Sequence, residues 1–119
     1  HLYFHAADPV EWSRTLRAVH ARGGSYILPG HGDVYPWDHW IEVADYIDLL
    51  VRAGGECLAP LPADRAEALD EAGAAALAAA YLTGSGADTA AIRGTAGAQA
   101  ERELRMVIQA LERRRKDGA

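Results

Sequence analysis

The spacing of apolar residues in the first part of the chain predicts a helix, a short strand and a second helix. Asp8 as N-cap, Pro9 at the first helical position and Glu11 three residues after the cap are typical of a helix start. An apolar stripe follows at i, i+4 and i+7, formed by Trp12, Leu16 and Val19. Gly23-Gly24 is expected to end this first helix.

A short buried strand is predicted from Ser25 to Pro29, because the run is too brief for a helix and Pro-Gly closes it. A second helix is expected from near Pro36 until Gly54-Gly55 stops it. Its apolar face consists of Trp40, Val43, Ala44, Ile47, Leu50 and Val51. The opening HLYF could form a further short extended segment.

The second half of the sequence has a different, mostly helical character. Leu58 to Asp64 is a proline-containing connector, and Asp64 with Glu67 can open an alanine-rich helix that is expected to run to about Leu82. Thr83 to Gly97 is rich in small residues and glycine, which predicts a loop. A last amphipathic helix carries Leu104, Val107, Ile108 and Leu111. The pattern thus divides the chain into α/β material at residues 1–55 and a helical extension at 56–119 with a Gly-rich loop at 83–97.

The predicted fold class is α/β and helix-rich, with one or two short strands and about four helices. A buried strand needs neighbours for its backbone N–H and C=O groups, and two strands alone do not form a stable sheet. We therefore expect the sheet to be completed by a larger domain, with a missing N-terminal half upstream, or by another chain such as a homo-oligomer partner.

Composition narrows the classes of function. The 119 residues are 50% hydrophobic, enough for a core, and a formal net charge of −5 argues against a nucleic-acid partner. The single cysteine, Cys57, excludes an internal disulfide and shows no nucleophile signature. No apolar run approaches the ~20 residues of a membrane span. No signal peptide is visible. The sequence leaves the cellular compartment undetermined, with the cytoplasm slightly favoured.

Five histidines are the candidate metal ligands, and four of them have ordinary interpretations. A zinc site needs three or four N, S or O ligands, usually from several segments. His1 and His5 share one side of a strand or helix, but their neighbours Tyr3 and Phe4 suggest packing. His20 lies near the end of the first helix, where it complements the helix dipole. His39, in the first turn of the second helix, is expected to be packed or solvated.

His31 differs because it stands between Gly30 and Gly32 where the predicted strand ends. Glycines without Cβ allow sharp turns and a close approach of the backbone to a metal or substrate. Asp33 could orient the imidazole as a hydrogen-bond acceptor or act as a nearby ligand. From the residues alone, a metal ligand and an ordinary Pro-Gly-x-Gly turn are equal alternatives.

The stretch YILPGHGDV, preceded by DPVEWSRTLRAV and followed by WIEVADYIDLLV, resembles the C-terminal part of metallo-β-lactamase-fold hydrolases. The resemblance covers about residues 2–54 and rests on the order helix, strand, PGHG, helix. It implies part of an αββα fold. It further implies that His31 is the family's last metal ligand, helping to hold the second of two zinc ions. Asp33 and His5 are weaker candidates for the metal site.

In such enzymes the zinc pair lowers the pKa of a bridging water toward ~7 and polarises an ester, thioester, amide or phosphoester bond. The chain departs from the family pattern at several points: it has no His-x-His-x-Asp-His motif, no middle histidine and no identifiable bridging aspartate. Asp33 also stands where proline often follows PGHG. We therefore expect this chain alone to be inactive, and whether it is an enzyme by itself stays open.

An alternative hypothesis gives the chain no catalytic role. The Trp-containing helices and the Leu104–Leu111 helix would form a non-catalytic, α-rich protein-interaction or structural module, in which PGHG is only a turn.

Overall fold

A computed structural model describes residues 8–24, 26–27 and 35–117. The helices are α1 (Pro9–Ala21), α2 (His39–Leu58), α3 (Glu71–Leu82), α4 (Ala87–Ala96) and α5 (Ala100–Lys116), with a 3-10 turn at Gly97–Gln99. Strands β1 (Tyr26–Ile27) and β2 (Tyr35–Pro36) pair antiparallel, with Tyr26 opposite Pro36 and Ile27 opposite Tyr35. The helix-rich class predicted from the sequence is thus confirmed, although an αββα layering is not visible in these residues.

Helix α1 begins and ends where the sequence predicts. The Asp8 carboxylate accepts a hydrogen bond from the Val10 N–H at 2.8 Å, and Pro9 occupies the first helical position. At the other end Gly23 takes φ = 81°, a left-handed conformation that favours glycine. Its N–H donates to the His20 carbonyl at 3.0 Å and closes the last turn.

The predicted strand is confirmed at Tyr26–Ile27, and its remaining positions lie outside the described residues. Strand β2 is a correction, because a helix was expected from near Pro36 and begins only at His39. Proline tolerates an edge strand, where its missing N–H breaks no ladder. The turn at Trp37 and Asp38 then leads into α2.

The prediction that Gly54-Gly55 ends the second helix is wrong, since α2 continues to Leu58. Gly54 is buried against α5: a Cβ built on it would lie 3.0 Å from Leu111 Cδ1 and 3.3 Å from Val107 Cγ1. A glycine here allows close helix–helix contact rather than termination. The boundary placed after residue 55 accordingly lies inside α2.

The Gly-rich loop predicted at residues 83–97 is wrong over most of its length, because α4 occupies Ala87–Ala96. Ile92 is fully buried in the core, and that burial stabilises a helix of poor intrinsic propensity. Arg93 also donates two hydrogen bonds, at 2.9 and 2.7 Å, to the Leu82 carbonyl at the end of α3. Gly97, at φ = 56°, ends α4.

One hydrophobic core joins both predicted halves of the chain. Its centre lies between α2, α4 and α5, and its largest fully buried apolar side chains are Ile47, Leu50, Ile92, Leu104, Val107 and Ile108. Helix α1 packs on α2 and adds Leu16 to this core. Within the described ranges, no helix combines the length and apolar character needed to cross a membrane.

Candidate functional site

The residues predicted to bind metal, His31, Asp33 and His5, lie outside the described residues. The structure does describe the chain on both sides of the PGHG motif. Ile27 and Tyr35 are opposite each other in the β1–β2 pair, so residues 28–34 connect two paired strands. The histidine therefore stands in a connection whose two ends are held together by backbone hydrogen bonds.

A second set of contacts joins the end of α1 to the start of α2. His20 Nε2 lies 2.9 Å from Asp38 Oδ1, and the Trp37 indole N–H donates to the His20 carbonyl at 3.1 Å. Gly24 packs beneath the Trp37 ring, since a Cβ on it would approach within 2.7 Å of that ring. His20 was expected to complement the dipole of the first helix. In the structure it also links the end of α1 to Trp37 and Asp38, the two residues before α2.

An ion-pair cluster holds the two helices side by side. The Arg17 guanidinium contacts Asp45 at 2.8 Å and Asp48 at 2.5 Å, both on α2. Hydrogen bonds to these carboxylates raise the pKa of Arg17 above its ordinary value. The cluster is partly exposed, so it contributes mainly orientation to the α1–α2 pair.

His39 makes local contacts, as the sequence analysis expected. Its ring stacks on Tyr35 with centroids 4.3 Å apart and planes 13° apart. Its Nδ1 lies 3.1 Å from Glu42 Oε2, and the side chain is 32% exposed. The imidazole is therefore packed at one side and solvated at the other.

Beside His39 a half-open groove of about 630 Å³ runs between α2 and the junction of α4 with α5. We call it the α2–α5 groove. It is lined by Tyr35, His39, Glu42, Val43, Tyr46, Thr95, Ala96, Gln99 and Glu103. The α2 members follow the i, i+3, i+4, i+7 spacing of one helix face.

Two of the residues that line the α2–α5 groove, Tyr46 and Glu103, form a polar pair between α2 and α5. The Tyr46 hydroxyl donates to Glu103 Oε1 at 2.6 Å, and Glu103 is only 2% exposed. Burial, and then the hydrogen bond to Glu103, raise the pKa of Tyr46 far above its ordinary value. The phenol therefore stays protonated at neutral pH and donates its hydrogen bond to Glu103.

Sequence reasoning missed this pair, although Glu103 carries a detectable signal. Glu103 lies on the same helical face as Ala100 and Val107, three residues after one and four before the other, and that face is buried. A carboxylate in such a register needs a hydrogen-bond partner. The partner, Tyr46, is distant in the chain, which left its identity unpredictable.

The described residues do not fit a zinc site by themselves. Across residues 8–24, 26–27 and 35–117, no group of three or more His, Cys, Asp or Glu side chains is placed to hold a metal ion. His20 and His39 each face a single carboxylate instead.

Comparison with known proteins supplies no relative. No family model matches the sequence, and no match was found among curated proteins or solved structures.

Proposed function

We propose that this chain is the C-terminal segment of a zinc-dependent metallo-β-lactamase-fold hydrolase, to which it contributes His31 as the last metal-binding histidine. The observation that carries the proposal is the order of elements around the motif. Helix α1 is followed by β1, then by Leu28-Pro29-Gly30-His31-Gly32, then by β2 and α2. The order helix, strand, PGHG, helix is the one expected of the superfamily's C-terminal part in a partial αββα arrangement, and β2 is an addition to it between the motif and α2.

The contacts at the two ends of the motif support this role. The β1–β2 pairing and the His20–Asp38 and Trp37–His20 hydrogen bonds connect the chain before residue 28 to the chain after residue 34. Metal ligands depend on such supporting contacts for their position. A pair of two-residue strands is also marginal alone, which supports a larger sheet completed by upstream residues of an intact enzyme.

In that enzyme His31 would offer one imidazole nitrogen to zinc, with Asp33 as its acceptor or as a nearby ligand and His5 as a weaker candidate. When bound, the zinc pair supplies an activated water for ester, thioester, amide or phosphoester hydrolysis. One expected family ligand cannot hold a zinc pair, so the 119-residue chain alone is expected to be inactive. Hydrolysis by this chain that EDTA abolishes would contradict that expectation.

The coding sequence upstream of residue 1 gives the first test. We expect an in-frame segment that encodes a His-x-His-x-Asp-His motif, because the remaining zinc ligands must come from there. A start codon immediately before the codon of His1, with no such segment beside it, would contradict the hydrolase proposal.

Metal analysis of the longer protein gives the second test. His31→Ala should lower the bound zinc and abolish hydrolysis, because it removes a ligand. His39→Gln is the matched control: His39 faces Glu42 within the first turn of α2, and its replacement should leave zinc content unchanged. Equal zinc content in His31→Ala and the unsubstituted protein would refute the assignment of His31.

A second candidate function is a non-catalytic α-rich interaction or structural module. The observation that favours it is the continuous core that the described residues of α2, α3, α4 and α5 build across both halves of the chain. Under this alternative His31→Ala would change neither zinc content nor any activity of the longer protein, so the same experiment separates the two functions.

A further inference from the structure

An indole ring lies against a glycine where the chain enters and leaves the β1–β2 pair. A Cβ built on Gly24 would lie 2.7 Å from Trp37 Cε3 and 2.8 Å from Trp37 Cδ2, closer than side-chain carbons come in proteins. Gly24 stands two residues before β1, and Trp37 directly follows β2. The contact is therefore at the end of the strand pair opposite to the 28–34 connection, and it requires a glycine at position 24.

Two further contacts keep the Trp37 ring in this place. Its indole N–H donates to the carbonyl of His20, in the last turn of α1, at 3.1 Å. Trp40 of α2 meets the ring at its edge, with centroids 6.1 Å apart and planes at 78°. Because the ring contacts α1, Gly24 and α2 at once, it fixes the chain that enters β1 against the chain that leaves β2.

We propose that Trp37 is a positioning residue for His31. Its contacts with Gly24 and His20 fix the two ends of the connection that carries the histidine. The inference rests on the proposed hydrolase function, because it assigns a supporting role at the same metal site. Strands of two residues pair only marginally by themselves, so the position of a ligand between them depends on contacts outside the ladder.

Zinc affinity of the longer protein, measured by competition with a chelator, tests this role. Gly24→Ala should weaken zinc binding about ten-fold, the effect of losing an outer contact that orients a ligand, because the added Cβ displaces the ring. Trp37→Phe keeps a ring against the glycine but removes the N–H donor, and should weaken binding by a smaller factor. Gly94→Ala is the matched control, since a Cβ there would meet nothing within 4 Å, and should leave the affinity unchanged.

A double variant shows whether Gly24 acts through the ring. In a Trp37→Leu background, adding Gly24→Ala should weaken zinc binding much less than it does in the unsubstituted protein, because the ring atoms that its Cβ would meet are gone. An equal effect of Gly24→Ala in both backgrounds would overturn the proposal. So would equal zinc affinity in Gly24→Ala, Trp37→Phe and the unsubstituted protein, which would show that the contacts serve folding alone.

The 119-residue chain gives a readout that needs no zinc. In the ¹⁵N-labelled chain, Gly24→Ala should shift the NMR signals of the Ile27 and Tyr35 amides, on both strands, whereas Gly94→Ala should leave them unmoved. Unmoved signals in Gly24→Ala would refute the effect of the ring on the strand pair. If the unsubstituted longer protein binds no zinc, the hydrolase function fails and the role of Trp37 with it; if it binds zinc with equal affinity in all variants, only the role of Trp37 fails.

Discussion

At the scale of single residues, the Glu112 carboxylate is held in place by three neighbouring residues and has a shifted pKa. Its carboxylate accepts from the Leu69 N–H at 2.8 Å and from Arg115 Nε at 2.7 Å, and it is paired with Arg65 as well. Burial by itself raises the pKa of Glu112, but the hydrogen bonds from Arg115, Leu69 and Arg65 together lower it to about 2. These contacts fix the chain between α2 and α3 onto α5.

Acid is expected to weaken the fold through Glu112. A folded-state pKa of about 2 against 4.5 in the unfolded chain stabilises the protein by up to about 3 kcal/mol above pH 4.5. This stabilisation is lost as the pH falls from 4.5 toward 2. Urea midpoints for the unsubstituted chain and Glu112→Gln should therefore differ clearly at pH 7 and converge near pH 2.

The control for Glu112 is Glu11→Gln. Glu11 pairs with Arg14 at 2.8 Å, but its side chain is 58% exposed, so its replacement should change the midpoint little at either pH. A gap between Glu112→Gln and the unsubstituted chain that is as wide near pH 2 as at pH 7 would contradict the assignment.

Cys57 is expected to react slowly with thiol reagents in the folded chain. Burial, and then the nearby Glu56, raise the pKa of its thiol to about 11, and the residue is only 8% exposed. At pH 8 about one thiol in a thousand is then the reactive thiolate. Ellman's reagent should label the denatured chain at once and the native chain far more slowly; comparable rates would show that the thiol is accessible.

At the scale of elements, the glycine pair in α2 gives a prediction with an internal control. A Cβ at Gly55 would meet nothing within 4 Å, so Gly55→Ala should raise the free energy of unfolding by up to about 1 kcal/mol through helix propensity. At Gly54 a Cβ would lie 3.0 Å from Leu111 Cδ1 and 3.3 Å from Val107 Cγ1, so these packed side chains of α5 would have to move by a few tenths of an ångström. Gly54→Ala should therefore be less stable than Gly55→Ala in chemical denaturation; equal stabilisation would mean that α5 adapts without cost.

Helix features that depend on neighbouring residues could be predicted from the sequence, whereas those that depend on a distant helix could not. Asp8, Pro9 and Gly23 act locally through capping and backbone conformation, so the bounds of α1 could be predicted. Gly54 could not be interpreted, because its role depends on Leu111 of a distant helix. Helix α4 was missed for the same reason, since its stability comes from burying Ile92 rather than from propensity.

The same distinction decides which candidate site could be recognised from the sequence. His31 could be singled out because PGHG is a contiguous motif with characteristic flanking elements. The Tyr46–Glu103 pair joins residues of α2 and α5, which only the tertiary fold brings to 2.6 Å. Contiguous motifs are visible in a sequence, whereas sites assembled from separate helices are not.

At the scale of the whole molecule, the helices contribute unequally to the core. Helix α5 places Leu104, Val107 and Ile108 at zero exposure, in contact with the other core helices. Helix α1 packs on α2, and Leu16 is its one large aliphatic side chain in the core. Its further contacts include the exposed Arg17 cluster, the hydrogen bonds of His20 with Asp38 and Trp37, and a 3.3 Å contact between Asp8 and Arg114.

This imbalance predicts that α1 opens before the rest of the fold. In native-state hydrogen exchange, the amides of Leu104, Val107 and Ile108 should exchange only through global unfolding, whereas those in the middle of α1 should exchange through a smaller opening. The α1 amides should then show lower protection and a weaker dependence on denaturant. Amide exchange rates that rise about tenfold per pH unit would show that the measured protection gives the free energy of each opening. If α1 and α5 shared one protection level and one denaturant dependence, the described helices would instead unfold as a single cooperative unit.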